Sequence, residues 1–187
     1  MSPSRYTTGP PVTLDKDDME ELKEIILEFL SKYEALYEKR VHKLIFYGEV
    51  YTAQETGQRL TDATFMPYDY GPYSKAVSKA LGELEDEGRV SQRSNGQYAT
   101  GLDSGEVSPK KKYLVDRIHQ MTNRMSTDEL VERAKDTWLW DNFEYAEEMD
   151  FATYIDQIVL SPGVRRRMGE LERDPVDDPD LERLLSS

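Results

Sequence analysis

The chain has 187 residues, no cysteine, and 37 acidic against 24 basic side chains, for a formal net charge of −13. That length fits one domain of moderate size with tails and a real core, and the missing cysteines exclude disulfides, thiolate zinc sites and cysteine nucleophiles together. No run of about 18 apolar residues is present to cross a membrane, and the acid excess repels nucleic-acid phosphate over long range while suiting basic protein partners.

In chain order, residues 1–14 carry Pro3, Gly9, Pro10 and Pro11 with few apolar side chains and are expected to form a disordered arm. This N-terminus lacks the apolar stretch of a secretory signal, so a cytoplasmic location is expected. Asp15 or Asp17 suits the cap of a first helix running to about Tyr37. Leu22, Ile25, Ile26, Phe29, Leu30, Tyr33 and Leu36 recur every three or four residues along it. A second helix is predicted from about Lys39 to Glu55, with Val41, Leu44, Ile45, Gly48, Tyr51 and Thr52 on one face and Gly57 as its left-handed cap. Residues 60–69 read as extended around Phe65, and Pro67 puts them at a sheet edge or outside a sheet.

Gly71-Pro72 reads as a turn, and Ser74 as the cap of a third helix that buries Val77, Ala80, Leu81 and Leu84 and stops at Gly88. Arg89–Ser94 and Gln97–Thr100 then read as two short strands joined at Asn95-Gly96, a hairpin signal because both residues accept positive φ. Helix, glycine and hairpin in that order give a winged-helix-like middle. After a polar loop, Gly101–Ser108, a fourth helix spans about Pro109–Arg124. Ser126 and Glu129 form a capping box that opens a fifth helix, Thr127 to about Lys135. Trp138, Leu139, Trp140, Phe143 and Tyr145 form an aromatic run. Phe151–Leu160 is read as a short last helix with Phe151, Tyr154, Ile155 and Ile158 inward. The domain is thus placed at residues 15–160, mainly α with a small β-hairpin, and residues 161–187 are predicted to be a mostly disordered charged tail with a weak helix at Leu181–Leu185.

Little in the sequence points to catalysis. There is no phosphate-cradling glycine loop, dinucleotide fingerprint or Ser-His-Asp order. The two histidines, His42 and His119, would need carboxylate partners to hold zinc, and His42 reads as a helix-surface residue. Adjacent acids such as Glu147-Glu148 do not face each other on a helix. No catalytic residue, metal or cofactor is therefore expected. Lys110-Lys111-Lys112 sits at a helix start, where cations oppose the dipole; a solvated surface or a contact with an acid of this chain would explain it.

Lys43-Leu44-Ile45-Phe46-Tyr47, then Thr56-Gly57-Gln58-Arg59-Leu60, Phe65, Tyr70-Gly71-Pro72, the helix Val77–Leu84, and finally Leu130–Lys135 with Trp138 follow one another in a fixed order. In this succession the chain resembles the SocA-like Panacea antitoxin domain, which includes phage-associated proteins of the GepA type, over roughly residues 39–158. It departs from the family where a Thr-His pair often precedes the Trp step and this chain has Ala134-Lys135.

The resemblance implies an antitoxin that binds and blocks a separate protein toxin, expected to be encoded nearby, with no membrane partner. The partner-facing candidates are Tyr47, Tyr68, Tyr70, Gly71, Pro72, Tyr73, Trp138 and Trp140, since Tyr and Trp are enriched at interface hot spots. The same rings also suit core packing. The alternative is a winged-helix DNA-binding regulator using Ser74, Lys75, Lys79, Arg89 and Arg93, with Ser74, Lys75, Ser78 and Lys79 on the exposed face of the third helix and Arg59 adding a phosphate contact. A third reading is an adaptor or structural phage protein. Acid excess spread along a whole chain is also a habit of proteins from a high-salt cytoplasm, where self-repulsion is screened, so the net charge by itself does not choose among partners.

Overall fold

Asp15 starts the first helix, its carboxylate accepting the Asp18 N–H at 2.8 Å. The computed structural model describes residues 11–101 and 105–160. The expected tail, with Arg165-Arg166-Arg167 and Leu181–Leu185, lies outside them, as do residues 1–10 of the expected arm and 102–104 of the polar loop. Of the remaining arm residues, Val12 and Leu14 pack against the core.

Helix α1 (Lys16–Leu30) buries Leu22, Ile25, Ile26 and Phe29. It ends well before Tyr37, although Tyr33 and Leu36 continue its spacing. Leu36 is extended instead. Its N–H donates to Tyr98 O at 2.9 Å and its carbonyl accepts from Tyr98 N–H at 2.7 Å. This exchange satisfies the backbone across the chain and still buries the Leu36 side chain.

Helix α2 (Glu38–Thr56) is the inner helix. Every residue from Val41 to Phe46 is buried, and Gly57 caps its end at φ 67°. The strands β1 (Met66–Tyr68) and β2 (Gly71–Tyr73) then form a two-stranded antiparallel ribbon in which Pro67 faces Pro72. The bend expected at Gly71-Pro72 therefore falls at Asp69-Tyr70, and Gly71-Pro72 is strand. Neither proline can donate to a ladder, so the ribbon stays at two strands.

Ser74 caps α3 (Lys75–Asp86), accepting from Val77 N–H at 3.2 Å. Strands β3 (Val90–Gln92) and β4 (Tyr98–Thr100) follow as a second antiparallel pair. In their turn only Gly96 takes positive φ, at 89°. Gly96 N–H closes on Arg93 O at 2.9 Å and Arg93 N–H on Gln97 O at 2.7 Å. The connection is thus a three-residue loop ending in a left-handed glycine, not the two-residue turn in which Asn95 shares the positive φ. The order in this part of the chain is helix, single bridge, helix, the β1–β2 ribbon, helix and hairpin.

Helices α4 (Pro109–Thr122) and α5 (Thr127–Lys135) match expectation, the latter with its reciprocal Ser126–Glu129 capping box. The aromatic run forms the short α6 (Trp138–Asn142). Helix α7 (Phe151–Thr153) passes into a π-helical turn, Tyr154–Val159, closed by Leu160 N–H on Ile155 O at 2.8 Å. The wider turn carries Val159 inward and leaves Ile155 and Ile158 half-buried. The chain is mainly helical with two small strand pairs. Helix α1 lies against α3, α4 and β4, while α2 lies against α4, α5 and β2.

Inside this core Glu49 is fully buried. It accepts from Thr61 N–H at 2.5 Å and pairs with the Arg59 guanidinium. Burial pushes its carboxyl up, while Arg59 and Thr61 oppose that shift. Arg59 also donates to Ala63 O at 2.6 Å and covers the Phe151 ring at 4.0 Å, so it points inward, away from any nucleic acid.

Candidate functional site

The Lys-Leu helix and the Tyr-Gly-Pro segment meet in space. Lys43, 3% exposed, extends from α2 and donates to Pro72 O at 2.6 Å. Gly71 sits over its stem with φ 99°, and a Cβ there would stand 3.2 Å from Lys43 Cε. Both the dihedral and the close approach call for glycine. Burial, with the nearby charges of Lys39 and Lys135 adding to it, lowers the Lys43 ammonium pKa from 10.5 to about 7. Among the described residues, no carboxylate forms an ion pair with it.

One residue earlier, His42 is buried too, which corrects its surface assignment. Its Nδ1 accepts from Ser74 N–H at 3.1 Å, so the proton of the neutral ring is assigned to Nε2. From there it faces Glu38 Oε1 at 3.3 Å and Ser78 Oγ at 3.2 Å. Ser78 donates to Glu38, and its oxygen stands 2.8 Å from the Tyr73 hydroxyl. The His42 ring stacks on Tyr73 with centroids 4.5 Å apart. Burial pushes the His42 pKa down, against the pull of Glu38, and the His42 hydrogen bond in turn lowers that of Glu38. Serine, histidine and glutamate are thus together, but not as a nucleophile and its base. An Nε2 that carries the proton cannot take one from Ser78, and Ser78 already gives its own to Glu38. The network fixes α2, β2 and the start of α3 to one another.

Between α2 and the ribbon lies a cavity of about 190 Å³. Lys39, Lys43, Gly71 and the rings of Tyr68, Tyr70 and Tyr73 line it, with Glu38 and His42 on its other side. Lys39 Nζ sits 4.5 Å over the Tyr70 ring. Tyr145 stacks on Tyr68 at 5.0 Å and donates to Asp69 at 2.9 Å. It is held there by Ala146, which takes φ 61° and donates its N–H to Pro67 O at 2.9 Å. Among the described residues, the exposed large hydrophobic side chains are Tyr37, Tyr70 and Tyr145. Tyr37 lines an adjoining, more open hollow of about 460 Å³ that shares Glu38 and Lys39 with the cavity, and Tyr145 reaches the cavity through the Tyr68 ring.

Tyr68, Tyr70, Gly71 and Tyr73 therefore come together at the cavity, with Pro72 behind Lys43. Tyr47 is half-buried on α2, one turn beyond Lys43, and packs on the core. Trp138 stacks on Tyr154 and meets Phe143 edge-on. Trp140 lies under Lys135, with Nζ 5.3 Å from the ring centroid. The basic set disperses. Ser74 is fully buried as a helix cap and Ser78 belongs to the His42 network, so neither faces outward on α3. Arg89 pairs with Glu24 at 2.7 Å, and Arg93 with Glu34 at 3.3 Å. Lys79 is exposed and Lys75 half-buried. In the lysine triplet, Lys111 donates to Leu60 O at 2.7 Å and pairs with Glu21. That is the contact with an acid of this chain that its unfavourable position suggested. Sequence reasoning missed Tyr37, Glu38, Lys39, His42 and Lys43 as one cluster. The available signal was a lysine and a histidine set between apolar positions of α2.

Fold and site together define a mainly helical domain with a tyrosine-rimmed, lysine-floored cavity. Among the described residues it has no group of three or more acidic or histidine side chains placed to hold a metal, and no helix long and apolar enough to cross a membrane. Residues 41–141, more than half of the chain, match the family described as antitoxin SocA-like, Panacea domain, and the chain belongs to that family. No curated protein and no solved structure matches it.

Proposed function

We propose that this chain neutralises a protein toxin in the cytoplasm by binding it stoichiometrically, without catalysis of its own. The observation that carries the reading is a chain of exposed tyrosines on adjoining features: Tyr70, 63% exposed, lines the cavity, Tyr37, 52% exposed, lines the hollow beside it, and Tyr145, 57% exposed, stacks on the cavity-lining Tyr68. Exposed rings on adjoining features are costly to leave wet and are typical anchors of a protein interface. Family membership supports a toxin as the partner. Tyr68 and Tyr73 shape the cavity wall. The chain's net charge of −13 would speed association with a basic toxin.

Co-expression with each neighbouring reading frame tests this. One neighbour should be lethal alone, tolerated with this chain, and co-purified with it. Tyr70→Ala should leave the far-ultraviolet spectrum and the melting temperature unchanged and weaken that protection. If no neighbour is toxic, or if the toxin is silenced without forming a complex, the reading is wrong.

A further inference from the structure

We propose that the cavity between α2 and the β1–β2 ribbon is a carboxylate socket, which receives one aspartate or glutamate side chain of the toxin and pairs it with Lys43 and Lys39 beneath the tyrosine rings. The source of the carboxylate rests on the antitoxin reading; the chemistry of the socket does not.

Size is the first argument. About 190 Å³ holds a side chain, whereas drug-sized ligands and cofactors occupy roughly 300–1,000 Å³. The floor is the second. An ammonium has three N–H donors, and among the described residues Lys43 has one acceptor, Pro72 O. Gly71 packs close against the lysine stem, and Lys43 lines the cavity beside it.

Charge is the third argument, and it selects a carboxylate. Acids outnumber bases 37 to 24 in this chain, and cations elsewhere in the fold take them as partners. Lys23 pairs with Glu20 and Glu87, Lys32 with Asp116, Arg59 with Glu49, and Arg89 with Glu24. Lys39, Lys43 and Lys135 instead face two aromatic rings and a carbonyl. Among the described residues, the carboxylate lining the cavity is Glu38, already engaged by Ser78 and His42.

The groups facing Lys43 are therefore Glu38, Lys39 and His42 from its own helix, Lys135 from α5, and Tyr68, Tyr70 and Tyr73 from the ribbon. An entering carboxylate would relieve the repulsion among the three lysines. It would also return to Lys43 the proton that burial and its neighbours loosen near neutral pH. Binding at the socket is thus linked to proton uptake, which gives it a signature distinct from contact at the rim.

The test uses the full chain with ¹³Cε-labelled lysine, titrated by NMR at constant ionic strength. The probes are N-acetyl-glutamate α-amide, its neutral glutamine counterpart, and inorganic phosphate. The glutamate probe should raise the Lys43 midpoint by about one unit or more and perturb Tyr68 and Tyr73 saturably, while the glutamine probe should do neither. Lys43→Met should abolish the tyrosine response, with Lys39→Met, at an exposed ring contact, as a milder second variant. An equal response to both amides, no response at Lys43, or a larger shift with phosphate than with the carboxylate overturns the proposal. In the co-expression assay, Lys43→Met that still melts cooperatively should protect less well than the parent. Undiminished protection refutes the socket and leaves the antitoxin reading standing. Socket binding without any toxic neighbour refutes the antitoxin reading, and with it the toxin as donor.

Discussion

Replacing Lys43 with methionine should change how stability depends on pH, and the size of the change follows from the site. Lysine in the unfolded chain titrates at 10.5 and the folded Lys43 at about 7. Between those values the unfolded state holds a proton that the folded state has released. Stability therefore rises with pH there, by about 1.4 kcal/mol per unit at most. Integrated from pH 7 to pH 9, the gain is about 2 kcal/mol, and from pH 5 to pH 7 it is only a few tenths, because both states are then protonated over most of the range. Methionine keeps the length and the apolar stem of the side chain, and it removes the titration. It also leaves Pro72 O without its donor, at a cost of about 1 kcal/mol that does not vary with pH. Distant groups such as Lys111 titrate alike in both proteins and drop out of the difference, while His42, which the Lys43 charge helps to lower, titrates below the pH 7–9 window. Urea unfolding of the parent and of Lys43→Met at pH 5, 7 and 9 is the assay. The parent should gain about 2 kcal/mol on the variant between pH 7 and pH 9 and almost nothing below. Parallel curves across the range would mean that Lys43 is hydrated like a surface lysine, and the argument for its burial would fail.

Gly71→Ala should cost about 1–3 kcal/mol, since the new Cβ meets the Lys43 stem at 3.2 Å and φ is 99°. Gly82→Ala, in an exposed helical position with nothing within 4 Å, should gain about 0.5–1 kcal/mol; thermal melts of the pair separate the two effects. His42 has its pKa lowered from 6.5 by burial, so below that value the unfolded state binds the proton first and stability should fall as the pH is lowered. His42→Gln should flatten that acid limb, as read by denaturant midpoints between pH 7 and pH 5. Arg59→Met strips the partner from the fully buried Glu49 and should cost about 3–5 kcal/mol. Adding Glu49→Gln should recover part of that loss in the same unfolding assay.

The helices were legible wherever local chemistry and tertiary contacts agree. Ser126-Thr127-Asp128-Glu129 caps α5 by itself, and Gly57 ends α2 because only the left-handed conformation closes it there. The pattern misled where a long-range partner decides. Tyr33 and Leu36 keep helical spacing, yet the backbone of Leu36 belongs to Tyr98, more than sixty positions on, and no periodicity encodes that. Asn95 accepts positive φ in principle, but the hairpin closes with Gly96 alone. Ile155 and Ile158 gave the apolar stripe of an α-helix, and the π-turn moved Val159 into their place. The candidate site was half legible. The tyrosines of the ribbon were visible as a cluster, whereas His42 read as a surface residue and Lys43 only as part of the Lys-Leu motif, because nothing local shows that this part of α2 is covered. Their burial depends on β2 and α5 closing over them.

The α1 helix lies wholly upstream of the stretch that matches the family, yet its Leu22, Ile25, Ile26 and Phe29 form one wall of the hydrophobic interior against α3 and α4. An expression fragment trimmed to the matched boundaries would strip that wall and leave Val77, Leu81 and Ile118 facing solvent. The stretch that carries the family pattern and the stretch that closes the hydrophobic interior are different lengths of chain.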